Sequence, residues 1–139
     1  MKKRQVVITG AGASGLMAAI MAARKGAAVT VLEQNEKPGK KICATGNGRC
    51  NFSNLARPDD AYRGEHPEFV EDALREFSVE NTIEFFKEIG IYPLNRNGYL
   101  YPRSNQAQSV VDVLCMEAAS LGVKIKTNEQ VTEIKTGTN

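Results

Sequence analysis

A chain of 139 residues is one domain's worth. Its composition, 42% apolar and 24% charged, is that of an ordinary globular protein. A net charge of +2 is too small to point to nucleic acid as a partner.

Gln5–Thr9 is short, β-branched and bounded by glycine, and reads as a buried parallel strand. It runs into Gly10-Ala11-Gly12-Ala13-Ser14-Gly15, a G-x-G-x-x-G pattern. A helix over Ser14–Lys25, rich in Ala and Met and ended by Gly26, follows. A second strand, Ala28–Glu33, closes on a carboxylate. The crossover between the two strands is short and should be right-handed. Together these form a β-α-β nucleotide-binding unit over residues 1–34, in which each position has a task. Gly10 permits the tight turn out of the strand, Gly12 lets a pyrophosphate approach the backbone, and Gly15 lets the helix lie close to the sheet. The helix start points unpaired amides and its positive end at the phosphates, and Glu33 is placed for a ribose diol.

The basic start Met1-Lys2-Lys3-Arg4 and the apolar run to Ala22-Ala23 imitate a secretory signal. Three glycines would weaken such a helix, and a signal leaves Glu33 without a purpose. The run is also too short and too glycine-broken to span a membrane. The three cysteines, Cys43, Cys50 and Cys115, are odd in number and share no framework spacing. That points to reduced thiols and a cytoplasmic setting. With the single His66 they make no zinc set. Asn51-Phe52-Ser53 fits a glycosylation sequon that a cytoplasmic chain would never use.

Residues 34–60 read as a long irregular stretch with almost no periodicity, and loops of this length are usually functional or disordered. Within it, Lys40, Lys41, the glycines and Arg49 supply positive charge and exposed amides suited to a bound cofactor. Two amphipathic helices follow, Glu68–Glu76 and Val79–Ile89. Phe69, Val70, Ala73, Leu74 and Phe77 share a face of the first, and Ile83, Phe85, Phe86 and Ile89 line the second. Ser78 and Asn81 are candidate caps. Ile91–Arg96 and Tyr99–Arg103 flank Asn97-Gly98, the signature of a hairpin with a type I′ turn. Pro93 and Pro102 make it a small peripheral ribbon. Gln106–Leu121 is a helix with Val110, Val113, Leu114 and Ala118 inward, and Val123–Lys126 and Val131–Ile134 read as strands. The third parallel strand, Val123–Lys126, should lie beside the second, giving the sheet order 3-2-1.

The fold class is therefore α/β, a partial Rossmann-like domain with a helical and β-hairpin insertion. Its segments are 1–34, a loop over 35–60, the insertion over 61–105, and the returning helix and strands over 106–139. A six-stranded sheet needs strands this sequence does not contain, so it reads as the first part of a larger enzyme. On its own such a part should bind flavin weakly or not at all, lack turnover, and associate with itself or another chain through open sheet edges.

Gly10-Ala11-Gly12-Ala13-Ser14-Gly15-Leu16, Val31-Leu32-Glu33 and above all Thr45-Gly46-Asn47-Gly48-Arg49-Cys50-Asn51 resemble the BaiN/YhiN-like family of NAD(P)/FAD-dependent oxidoreductases. That family lies among the two-dinucleotide-binding-domain flavoproteins of glutathione-reductase type. The resemblance implies FAD, with NAD(P)H as a possible reductant, hydride transfer through flavin N5 and a small-molecule substrate. By resemblance, Gly10, Gly12, Ala13, Ser14 and Gly15 hold the pyrophosphate, Glu33 the adenosine ribose with Gln34 beside it, and Lys40 and Lys41 the phosphates or the ribityl chain. Thr45, Gly46, Gly48, Arg49, Cys50 and Asn51 run along the flavin, and Val131 touches the adenine through its backbone. Arg49 either stabilises negative charge on the reduced ring or braces the loop. No residue stands out as a catalytic acid or base, and Cys50 has no resolving partner nearby in sequence. An NAD-binding domain of an ordinary dehydrogenase is the alternative, since Glu33 suits either ribose. The basic glycine-rich loop after Glu33 favours FAD.

Overall fold

The computed structural model describes residues 3–56 and 61–137. Residues 57–60, the end of the expected irregular stretch, lie outside the described residues. The chain divides into two compact units, one of Met1–Cys43 with Val111–Asn139 and one of Ala44–Val110.

The first unit holds a parallel sheet of β1 (Gln5–Thr9), β2 (Ala28–Leu32) and the last strand, Lys124–Lys126, in the expected order with β2 central. Val31 faces Ile8 on one side and Ile125 on the other. A central strand is covered on both edges, and Val29 and Val31 are buried. Between β1 and β2 runs α1 (Ala13–Arg24), which lies against both strands. Leu16, Ala19 and Ile20 recur at helical spacing and are wholly buried. At the far end of α1, Arg24 Nη2 meets Glu117 Oε1 at 2.8 Å.

Residues 34–56 are more ordered than their composition suggests. They form α2 (Lys40–Ala44), a 3₁₀ turn at Thr45–Gly48 and a two-residue strand, β3 (Ser53–Asn54). Five- and two-residue elements are too short to leave a periodic signal.

In the second unit, α3 (Phe69–Glu76) is followed by α4 (Val79–Glu88). Ser78 caps α4: its hydroxyl accepts from the Asn81 amide at 3.2 Å, and the Asn81 side chain accepts from the Ser78 amide at 3.0 Å. The apolar face expected on α3 is not buried; Phe69 is 83% exposed. Of the residues expected to line α4, Phe85 alone is fully buried. β4 (Pro93–Arg96) and β5 (Tyr99–Pro102) form the hairpin, and β3 adds to β5 as a third antiparallel strand. Asn97 and Gly98 both take left-handed φ, 53° and 92°, as a type I′ turn demands.

α5 (Ala107–Ser120) leads into β6 (Lys124–Lys126). Val110, Leu114 and Ala118 are buried as expected, and Val111 with them. The strand expected at Val131–Ile134 does not form. Its two apolar residues, Val131 and Ile134, are three apart, so alternation puts Val131 with Glu133 and Ile134 with Thr132 and leaves no continuous apolar face to bury. Ile134 is 78% exposed. Among the described residues, no helix is long and apolar enough to cross a membrane.

Candidate functional site

The three glycines after β1 are glycines for three different reasons. Gly10 has a φ of 89°, which side-chain-bearing residues rarely adopt, and its amide donates to the Leu32 carbonyl at 2.7 Å. Gly15 sits so close to the loop that an added Cβ would collide with the Gly10 carbonyl oxygen. Gly12 has an ordinary extended backbone, φ −84° and ψ −169°, and an added Cβ there would meet nothing within 4 Å. Neither conformation nor packing among the described residues asks for glycine at this position. What its missing side chain keeps clear is the space at the start of α1. Gly12 provides no side-chain cap, and the first turn carries no acid. Ala13 and Ser14 are exposed there. The first-turn amides of a helix have no partners within the helix and carry its positive end.

Glu33 follows β2 and is buried, 6% exposed. Its Oε2 accepts the Ala11 amide at 2.7 Å. Its Oε1 accepts the Asn35 amide at 2.8 Å and the Asn35 side-chain nitrogen at 2.6 Å. Burial alone would raise its pKa, but the donated bonds from Asn35 and Ala11 outweigh burial and hold the carboxyl below its ordinary value. The Ala11 peptide is thus gripped on both sides, because its carbonyl accepts the Gly39 amide at 2.8 Å. Gly39 is fixed in turn: its φ is 74°, and an added Cβ would stand 2.5 Å from Val111 Cγ2. Gln34, Lys40 and Lys41 are exposed, the two lysines on the first turn of α2.

In the second unit, Thr45–Asn51 forms a tight turn of its own. Gly46, Asn47, Gly48 and Cys50 all take left-handed φ, 56°, 53°, 77° and 59°. At Gly46 an added Cβ would lie 2.7 Å from the Asn51 amide nitrogen. The Arg49 amide returns to the Gly46 carbonyl at 3.2 Å and the Cys50 amide to Thr45 at 3.1 Å. The Asn51 side-chain nitrogen donates to the Ser53 and Leu100 carbonyls at 2.9 and 3.0 Å, tying the turn to β5. Arg49 donates through Nε to the Gly46 carbonyl at 3.3 Å, and its guanidinium lies 5.6 Å from the centre of the Tyr101 ring. The Cys50 side chain is buried.

Residues 4–139 match the family described as the HI0933-like protein Rossmann domain. The chain belongs to this family. Among relatives of the HI0933-like Rossmann chain, a 3-dehydro-bile acid delta(4,6)-reductase of Clostridium scindens is 49% identical over 133 residues, covering 94% of this chain and 32% of that protein. A ribosomal RNA dihydrouridine synthase of Escherichia coli is 32% identical over 135 residues, covering 96% of this chain and 34% of that protein. The open conformation of a flavocytochrome c3 fumarate reductase superposes with a TM-score of 0.65 at 19% identity, over 98% of this chain and 28% of that one. That last likeness is one of fold. The chain spans about a third of the length of the curated relatives it matches.

Of the residues marked in the sequence of this HI0933-like chain, Gly10, Gly12, Ala13, Ser14, Gly15 and Glu33 come together in the first unit through the Ala11–Glu33 bond. Gln34, Lys40 and Lys41 belong to the same unit, and Thr45, Gly46, Gly48, Arg49, Cys50 and Asn51 to the other. Val131 is 37% exposed and lies in no strand. Two contributors have no individual role in the sequence reading, Asn35 and Gly39. Asn35 had a readable signal in hindsight, a short amide two residues past the acid, where Asn readily bonds back to its neighbours. For Gly39 the pair Pro38-Gly39 signals a turn that suits its φ of 74°, but the packing against Val111, 72 positions away, leaves no local signal.

Proposed function

We propose that this chain supplies the FAD-binding Rossmann portion of a flavin-dependent oxidoreductase. The observation that carries the reading is Gly12, a glycine without a protein reason, at an uncapped helix start that a buried carboxylate holds in place. That clearing fits a pyrophosphate, and the acid at the end of β2 fits a ribose without a 2′-phosphate. In this reading the amides of Ala13, Ser14 and Gly15 take the phosphates, with the loop shaped by Gly10. Glu33 takes the adenosine ribose with Gln34 beside it, and Lys40 and Lys41 add charge for the phosphates or the ribityl chain. Thr45, Gly46, Gly48, Arg49, Cys50 and Asn51 are assigned to the flavin by family resemblance, and Val131 to the adenine. The Arg49 contacts with Gly46 and Tyr101 support bracing as its first task.

Flavin, when bound, supplies hydride transfer through its N5; the chain's own residues bind, orient and neutralise charge. NAD(P)H is the proposed reductant. A small molecule is the proposed substrate. The relative at 49% identity acts by name on a 3-dehydro-bile acid, whereas a ribosomal RNA substrate belongs to relatives of lower identity, and a net charge of +2 gives little attraction for a polyanion. A cytoplasmic setting accords with three cysteines that form no disulfide. Titrating the protein separately with FAD and with NAD⁺ tests the reading. FAD should bind and shift its visible absorption; binding of NAD⁺ at the same residues with no affinity for FAD would return the chain to the dehydrogenases.

A further inference from the structure

The nucleotide reading gives Glu33 a ribose, and the bonds already made to Glu33 limit how much of that ribose it can hold. An ionised carboxylate offers about four acceptor positions, two per oxygen. Both positions on Oε1 are filled by Asn35, one by its main-chain amide at 2.8 Å and one by its side-chain nitrogen at 2.6 Å. On Oε2 one position is filled by the Ala11 amide at 2.7 Å, and the Gln34 amide also donates to the carboxylate, so at most one position is left there. The main chain that carries Asn35 is itself held. The Asn35 carbonyl accepts the Asn128 amide at 3.1 Å, and the neighbouring Glu33 carbonyl accepts the Glu129 amide at 2.9 Å, so the main chain on both residues is fixed by the turn that follows β6. The short side-chain bond is charge-assisted and therefore among the stronger ones a neutral donor can make.

We infer that Asn35 is a specificity-determining residue which restricts Glu33 to a single ribose hydroxyl, accepted at Oε2, instead of a diol pair. The inference rests on the nucleotide-site reading. It predicts an asymmetry that a two-handed carboxylate would not show. The probes are ADP, 2′-deoxy-ADP and 3′-deoxy-ADP, titrated into the protein, into Glu33→Ala and into Asn35→Ala. The quantity read is the part of each deoxy penalty that Glu33→Ala removes, so contacts made by other groups cancel. In the wild-type protein one analogue should carry a Glu33-dependent penalty of about tenfold or more, the lower end for a hydrogen bond to a charged group, and the other about twofold or less. In Asn35→Ala the freed position on Oε1 can accept the second hydroxyl, and the spared analogue should acquire a penalty of its own. Because affinity ratios report on folded molecules, a loss of stability in the variant does not disturb them, and Asn35→Ser supplies a second removal of the side-chain nitrogen. Equal penalties for both analogues in the wild type, or the same asymmetry after removal of the Asn35 side chain, would overturn the inference while leaving the ribose assignment standing. A wild-type protein that binds no ADP would overturn both.

Discussion

Gly12 separates the demands of the fold from the demands of a ligand. With an extended backbone and open space around the missing side chain, Gly12→Val should fold almost as well as the wild type. The cost expected for an apolar residue at a helix start is about 1 kcal/mol or less, a shift of a few degrees in thermal unfolding. A large drop in melting temperature would mean that the protein itself needs this glycine. Glu33 carries both demands at once. Its carboxyl is held below the ordinary value, so its contribution to stability is fully present above the unfolded pKa of about 4.3 and is lost as pH falls through the lower folded value. Glu33→Gln should cost roughly 1–3 kcal/mol in urea unfolding at neutral pH, because it weakens the bonds from Ala11 and Asn35. The gap should narrow at pH 3 and below. A gap that does not change with pH would deny Glu33 an ionised role. At this scale the sequence was a good guide where one residue acts on its immediate neighbours, as with Gly10 turning out of β1. It was a poorer guide to Glu33, whose bond to Ala11 spans 22 positions and shows that the acid serves the loop as well as any ribose.

Among the elements, β1, α1, β2 and the hairpin were legible from β-branched content, helical composition or a turn signal, although β1, read as buried, has no buried residue and leaves Val7 64% exposed. Asn97-Gly98 is the clearest case: both residues take the left-handed φ that the pair predicts. The short pieces between residues 34 and 56 were not legible, since their order comes from distant partners such as the Leu100 carbonyl, 49 positions from the Asn51 side chain that binds it. Val131–Ile134 misled through composition, because its two apolar residues fall on opposite faces of a strand, beside Glu133 and Thr132. The reciprocal cap on α4 gives a prediction at this scale: Ser78→Ala should destabilise the protein by about 1 kcal/mol in chemical denaturation, and no measurable change would remove the cap from the account. Gly39→Ala should cost more. It forces a methyl against Val111 in a left-handed backbone, at about 1–3 kcal/mol for overpacking alone. It should also loosen the Ala11 carbonyl and lower nucleotide affinity in the same variant, so a stable Gly39→Ala protein with normal affinity would contradict the link between Gly39 and the loop.

At the scale of the molecule, the chain divides into two units, and the parallel sheet of the first carries the proposed nucleotide site. Family membership and fold agree with that geometry, but the decision between a ligand site and a merely compact turn rests on what occupies the space over Gly12. Calorimetric titration of FAD into the wild-type protein and into Gly12→Val, both first shown to be equally folded, measures this directly. The account predicts weak but saturable binding of FAD to the wild type and none to the variant. Equal affinity in the two proteins would contradict it and place any flavin elsewhere.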